Sequence, residues 1–172
     1  MRRRMWALVA LPLALAACSS SATDDSTASV ELDGTAVELT GPIGSVTTPM
    51  TVSGPAVEDG LICDSLVMEQ SDFADLDGNP LTLEEIGALH ETSADFVWTE
   101  TYTCDDGSGS FIARGEQLLT APEIDYEGTT ADLARSTIER GTGDYEALSG
   151  QWVWTTDFAE GINTMTGAVS ND

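Results

Sequence analysis

The sequence contains no lysine and a single histidine, His90, among its 172 residues. Its six basic residues are all arginine, and after Arg2, Arg3 and Arg4 only Arg114, Arg135 and Arg140 remain. Every Asp and Glu lies beyond residue 18, so from there three arginines stand against 30 acids, a formal charge of −27. Such a surface repels phosphate. That argues against nucleic-acid backbones and anionic headgroups as partners, and leaves cations or a basic protein as the electrostatic complement, or plain solvation as its role. Without lysine there is no Walker loop, and neither Gly-x-Gly-x-x-Gly nor a Gly-x-Ser-x-Gly elbow occurs. One histidine and no close cysteine spacing cannot assemble a zinc site. Beyond the first 17 residues no apolar run approaches the ~20 residues that cross a bilayer. No catalytic residue is assigned.

What is present begins with a leader. Arg2–Arg4 form a positive region, Met5–Ala14 an apolar run, and Leu15-Ala16-Ala17-Cys18 a small-residue cleavage pattern. That box resembles the lipobox of bacterial lipoprotein precursors. The resemblance implies that Cys18 is lipidated, becomes the first residue of the mature chain, and holds it at the outer side of a membrane; two or more acyl chains give stable attachment. An ordinary secretory signal and a membrane helix are the alternatives, the latter opposed by Pro12 within the run. The expected organisation is a signal peptide over residues 1–17, a lipidated tether over 18–29, rich in Ser, Thr and Asp, and one domain over 30–172. Cleavage leaves 155 residues, enough for one core. With Cys18 carrying lipid, Cys63 and Cys104 form an even pair in an oxidising compartment and read as a disulfide. Its loop of about 42 residues is worth roughly 4 kcal/mol in the chain-entropy model.

From Val30 the texture becomes that of short strands. Val30, Leu32, Val37 and Leu39 nearly alternate, Gly41-Pro42 and Pro49 punctuate the loop that follows, and Met50–Ser53 and Leu61–Met68 are strand candidates. Ser71–Pro80 reads as an acidic turn. Thr82-Leu-Glu-Glu85 has the form of a capping box opening a short helix, with His90 near its end beside the terminal carbonyls. Ala94–Cys104 is rich in β-branched and aromatic residues. Asp105-Asp106-Gly107-Ser108-Gly109 turns the chain into Phe111–Leu119. After a loop at Pro122–Gly128, strands are expected at Asp132–Arg140, Gln151–Phe158 and Ile162–Val169. Seven or eight closely spaced strands and at most one short helix predict an all-β antiparallel barrel, a monomer whose closure removes exposed edges.

Between the strands at Asp132–Arg140 and Gln151–Phe158 lies Gly141-Thr-Gly143-Asp-Tyr145-Glu-Ala-Leu148-Ser-Gly150. Gly141, Gly143, Tyr145 and Gly150 resemble the glycine-rich turn of allene-oxide-cyclase-like and dirigent-like β-barrels. Ala147 stands where that pattern usually has glycine, and Trp152 where a small residue is common. The resemblance covers about 40 residues and implies a barrel with an interior. No catalytic residue of that family has a counterpart here, so it implies no particular activity.

Two further groups are candidate sites. Trp98, Trp152 and Trp154 could line a ligand cavity or pack the core. Asp72, Asp75 and Asp77 fall near the spacing of a calcium loop, but aligning Gly78 with the loop's glycine puts Phe73 at the first ligand position, so a solvated Asp-Gly turn is the simpler reading; calcium is the one cofactor considered. His90 has no elbow nucleophile for a triad, and carboxylate pairs among 30 acids carry no information. The expected role is that of a lipid-anchored envelope protein that binds or interacts. The alternative is a carrier of small apolar ligands, or a cyclase-like enzyme, using the barrel interior.

Overall fold

A computed structural model describes residues 33–86, 95–117 and 131–171. Eight strands pair antiparallel, each with the next, and the first with the last: β1 (Thr35–Pro42), β2 (Thr47–Ser53), β3 (Ser65–Asp75), β4 (Phe96–Cys104), β5 (Gly109–Gln117), β6 (Ala131–Gly143), β7 (Leu148–Asp157) and β8 (Ile162–Asn171). The sheet is therefore a closed barrel, as the strand spacing predicts. Residues 1–32, 87–94 and 118–130 lie outside the described residues, and with them the leader, Cys18, the tether, His90 and the expected loop at Pro122–Gly128.

Alternation sorts the side chains. Along β2, Thr48, Met50 and Val52 are buried while Thr47, Pro49, Thr51 and Ser53 are exposed. Along β4 the inward row runs Phe96, Trp98, Glu100, Tyr102, Cys104. Opposite it, β5 turns Phe111, Ala113, Gly115 and Gln117 inward. Bulky and small residues face each other in register. Trp98 pairs with Gly115, where a Cβ would come within 2.1 Å of the indole, and Glu100 pairs with Ala113. A barrel of eight strands has little room, and such complementarity lets it hold several large side chains.

The antiparallel order gives the barrel two different ends. At one end, a helical turn α1 (Pro55–Glu58) sits between β2 and β3, with Ala56 fully buried. The sequence reading expected no helix here and a strand from Leu61. Pro55 at the first helical position, after Gly54 at φ 104°, opens the helix instead, and β3 starts only at Ser65. Cys63, just before β3, is bonded to Cys104 at the end of β4, with a Cα separation of 6.1 Å. The β6–β7 connection closes the same end. Tyr145 and Leu148 are 4% exposed, and the Tyr145 hydroxyl lies 3.2 Å from Cys104 Sγ and 2.8 Å from Ser108 Oγ. Gly141 permits this: a Cβ there would lie 1.9 Å from the Tyr145 carbonyl oxygen. Gly143 is a turn glycine at φ 63°. The strands run further into this motif than expected, β6 reaching Gly143 and β7 starting at Leu148.

At the other end lie the β1–β2 and β7–β8 connections and the described start of the connection that follows β3. Two expected loops turn out to be strand. Gly41-Pro42 ends β1, paired with Asn163 and Ile162. Residues 71–75 belong to β3, which absorbs the irregularity by a register shift between Ser71 and Ala74 and a positive φ of 51° at Asp72. The capping box forms: Thr82 N donates to Glu85 Oε2 at 2.8 Å and Glu85 N to Thr82 Oγ1 at 3.3 Å, opening a second helical turn, α2, at residues 83–86. The Thr82 N–H, and the Thr82 hydroxyl, which also donates to Glu85 Oε2 at 2.8 Å, hold the Glu85 carboxyl below its ordinary pKa.

The disulfide fastens the α1 connection to the end of β4. Thiol titration of the denatured, unreduced protein should find neither Cys63 nor Cys104 free. Cys63→Ser with Cys104→Ser should lower stability by about 4 kcal/mol in denaturant unfolding, the loss of loop constraint in the unfolded chain.

Candidate functional site

The inward rows do not fill the barrel to its second end. Trp98 of β4 and Trp154 of β7 meet across the interior, their ring centroids 6.2 Å apart at 81°. Beyond them opens a cavity of about 570 Å³, within the range of small-molecule sites. Phe73, Phe96 and Phe158 add aromatic surface, and Met68, Ile43, Val46, Leu83 and Ile86 aliphatic surface. Thr48, Gln70, Gln117, Thr156 and Asn163 supply the polar groups. Among the described residues no Asp, Glu, Arg or His lines it. Phe158 and Leu83, 43% and 61% exposed, stand at the rim.

Of the three tryptophans singled out, the structure brings Trp98 and Trp154 to the cavity and leaves Trp152 out of it. Trp152 is fully buried toward the closed end, its ring 5.3 Å from Tyr102 and 6.2 Å from Phe111. One register step along β7 separates lining from packing: β7 points Trp152 and Trp154 inward, but only the latter lies on the open side.

Under the cavity floor lies a residue that sequence reasoning passed over. Glu100 is fully buried in mid-barrel. Its Oε1 accepts the Trp98 Nε1–H at 2.6 Å and the Ser136 hydroxyl at 2.9 Å, and its Oε2 accepts the Tyr102 hydroxyl at 2.6 Å. Ser136 in turn accepts the Trp154 Nε1–H at 2.8 Å. Both floor indoles thus point their polar edges down at one carboxyl–hydroxyl pair, which fixes the rings. No arginine reaches it: Arg114, Arg135 and Arg140 occupy exposed positions on β5 and β6, and Arg114 Nε lies 3.5 Å from exposed Glu116. Burial without a counter-charge pushes the Glu100 pKa up to about 7, against the three hydrogen bonds, which favour the anion. Burial and the neighbouring carboxylate push Tyr102 upward too, so it stays a neutral donor. The available signal was parity: Glu100 shares the inward register of Trp98 and Tyr102, whereas Thr99 and Thr101 alternate with it.

The calcium candidates do not converge. Asp75 Oδ1 accepts the backbone N–H groups of Asp77 and Asn79 at 3.0 and 2.8 Å, and Oδ2 accepts Asn79 Nδ2 at 2.8 Å. Those bonds lower its pKa and commit the carboxylate to the turn. Asp72 Oδ2 instead accepts from Ser71 Oγ at 3.1 Å. Among the described residues no group of three His, Cys, Asp or Glu could hold a metal ion.

Glu100 makes stability depend on pH in a defined direction. Its folded pKa of about 7 lies above the ordinary 4.5, so the folded protein holds this proton more tightly than the unfolded chain. Its favourable contribution is complete below about pH 4.5, shrinks as pH rises to 7, and is lost above; a shift of that size corresponds to about 3 kcal/mol. Glu100→Gln keeps an acceptor for Trp98 and Ser136 and cannot ionise. The stability of Glu100→Gln relative to wild type should therefore rise by about 3 kcal/mol between pH 4.5 and 8 in parallel urea unfolding; a pH-independent difference would show that Glu100 does not titrate in the fold. Compared with known proteins, the chain matches no family model, no curated protein and no solved structure.

Proposed function

We propose that the barrel is the binding domain of an exported, lipid-anchored envelope protein, and that its open end holds a small, largely apolar molecule. The single observation that carries the binding half is the cavity of about 570 Å³ floored by Trp98 and Trp154. A packed interior would have left the aromatic residues a purely structural role. Concave, aromatic-lined spaces with a few amide and hydroxyl groups are the usual form of small-molecule sites. The lining offers Gln117, Gln70, Thr48 and Thr156 for orientation, and no titratable side chain among the described residues for proton transfer. Holding a ligand therefore fits better than acid–base chemistry on one. The resemblance to allene-oxide-cyclase-like and dirigent-like barrels is in keeping with an interior site and adds no reaction. The anchoring half rests on Leu15-Ala16-Ala17-Cys18.

Neutral naphthalene derivatives serve as probes. Titration should quench tryptophan emission with saturable, micromolar-range binding. Ala134→Trp, which places an indole in the lined space, should weaken it at least tenfold while the urea midpoint reports that the variant is folded. No saturable binding by wild type would overturn the cavity reading. Cys18→Ala should abolish membrane fractionation of the mature protein; unchanged fractionation would overturn the anchor.

A further inference from the structure

The chain carries 30 acids, yet not one of them, nor any base, lines the cavity among the described residues. That contrast constrains the charge of what enters. An amphiphile with an anionic head, such as a fatty acid, needs a cation at the mouth to hold it. Beyond the leader the sequence has only Arg114, Arg135 and Arg140, all on the outward, exposed positions of β5 and β6. The stretches outside the described residues and beyond the leader contain no Arg or Lys, and His90 is their one base. The net charge of −24 further disfavours an approaching anion and concentrates cations around the barrel.

The lining, in contrast, suits a positive charge on an apolar body. Trp98, Trp154, Phe73, Phe96 and Phe158 present aromatic surface to one space, and aromatic faces attract organic cations, tryptophan most strongly. Behind the two indoles sits the Glu100 carboxyl, with no arginine to neutralise it. Ser136 and Tyr102 are its polar neighbours on β6 and β4; Ala113 of β5 is its uncharged register partner, and Met165 of β8 lies against the Tyr102 hydroxyl. A cation over the floor would sit one side-chain layer above this carboxyl in a water-poor interior, where charges interact more strongly than in solvent.

Resting on the reading of the cavity as a ligand site, we propose that it selects organic monocations: an apolar or aromatic body bearing a quaternary or protonated amine. Neutral isosteres bind less tightly and anionic ones are rejected.

Three isosteric probes separate this from the underlying reading: a neutral alkylnaphthalene, its trimethylammonium analogue and its sulfonate analogue, each titrated into the intact mature protein at pH 8 by tryptophan quenching and calorimetry. The ammonium probe should bind roughly thirtyfold tighter than the neutral one, the scale of a desolvated cation–π contact, and the sulfonate should not saturate. Glu100→Gln should reduce the ammonium-to-neutral affinity ratio about threefold or more, whereas raising salt to 0.5 M should reduce it only in part, since a buried carboxyl is poorly screened. Equal binding of neutral and ammonium probes, or tighter binding of the sulfonate, overturns the charge selection while leaving the cavity a ligand site. An ammonium preference that survives Glu100→Gln but vanishes in salt assigns the effect to surface charge and overturns the role of the floor. Failure of all three probes overturns both.

Discussion

Eight residue pairs, from Thr35 with Val169 to Pro42 with Ile162, join β1 to β8 and turn a sheet into a tube. Closure decides what alternation means. In an open sheet the inward row of β4 would face a second layer; here it faces β5 through β8 across a narrow lumen. Closure also removes the unpaired edges along which two such sheets would associate. The inward positions are then read by size: Gly115 under Trp98, Ala113 opposite Glu100, Gly167 against Trp152. Where bulky residues meet, the tube is packed. Above Trp98 and Trp154 they line the walls without meeting, and the tube is hollow.

The buried carboxyl follows from the same geometry. A strand that lines a lumen puts every second residue inside, whatever its polarity, and Glu100 takes the central place of its row. Leaving it unpaired would be costly, and three donors meet it instead. Two of the indoles and hydroxyls so engaged belong to strands far apart in sequence, so the network ties β4 to β6 and, through Ser136, to β7. The floor of the cavity is thereby held by polar contacts rather than by shape alone.

Much of this architecture was legible in the residues. Phe96–Cys104 and its hairpin partner announce themselves by β-branched and aromatic content broken by Asp-Gly. The pairing of Cys63 with Cys104 followed from parity once a third cysteine was set aside, and the structure contains that bond. Thr82 and Glu85 formed the capping box their spacing implied. Other features were hidden for identifiable reasons. A four-residue helix such as Pro55–Glu58 has no periodicity to detect. The acidic run at 71–75 looks like a turn because Asp is rare in strands, yet a bulge and the exposed positions of Ser71 and Asp72 accommodate it. Glu100 was lost among 30 acids, although its parity with two aromatic neighbours marked it as inward. Whether the lumen is filled depends on the summed volumes of side chains from most of the strands, which no local pattern records; that is why Trp152 and Trp154, two residues apart, could not be told apart.

The disulfide, α1 and the Tyr145 turn all close one end of the tube, and β1 starts and β8 finishes at that same end. Polypeptide joined to the barrel there is attached beneath the plugged base. The cavity and the ends of the first and last strands are thus on opposite poles. Leu83 and Phe158, at the rim, lie far along the barrel from the bonded base. The barrel is in this sense a cup, whose bonded base and hollow mouth are built from different residues and can vary independently.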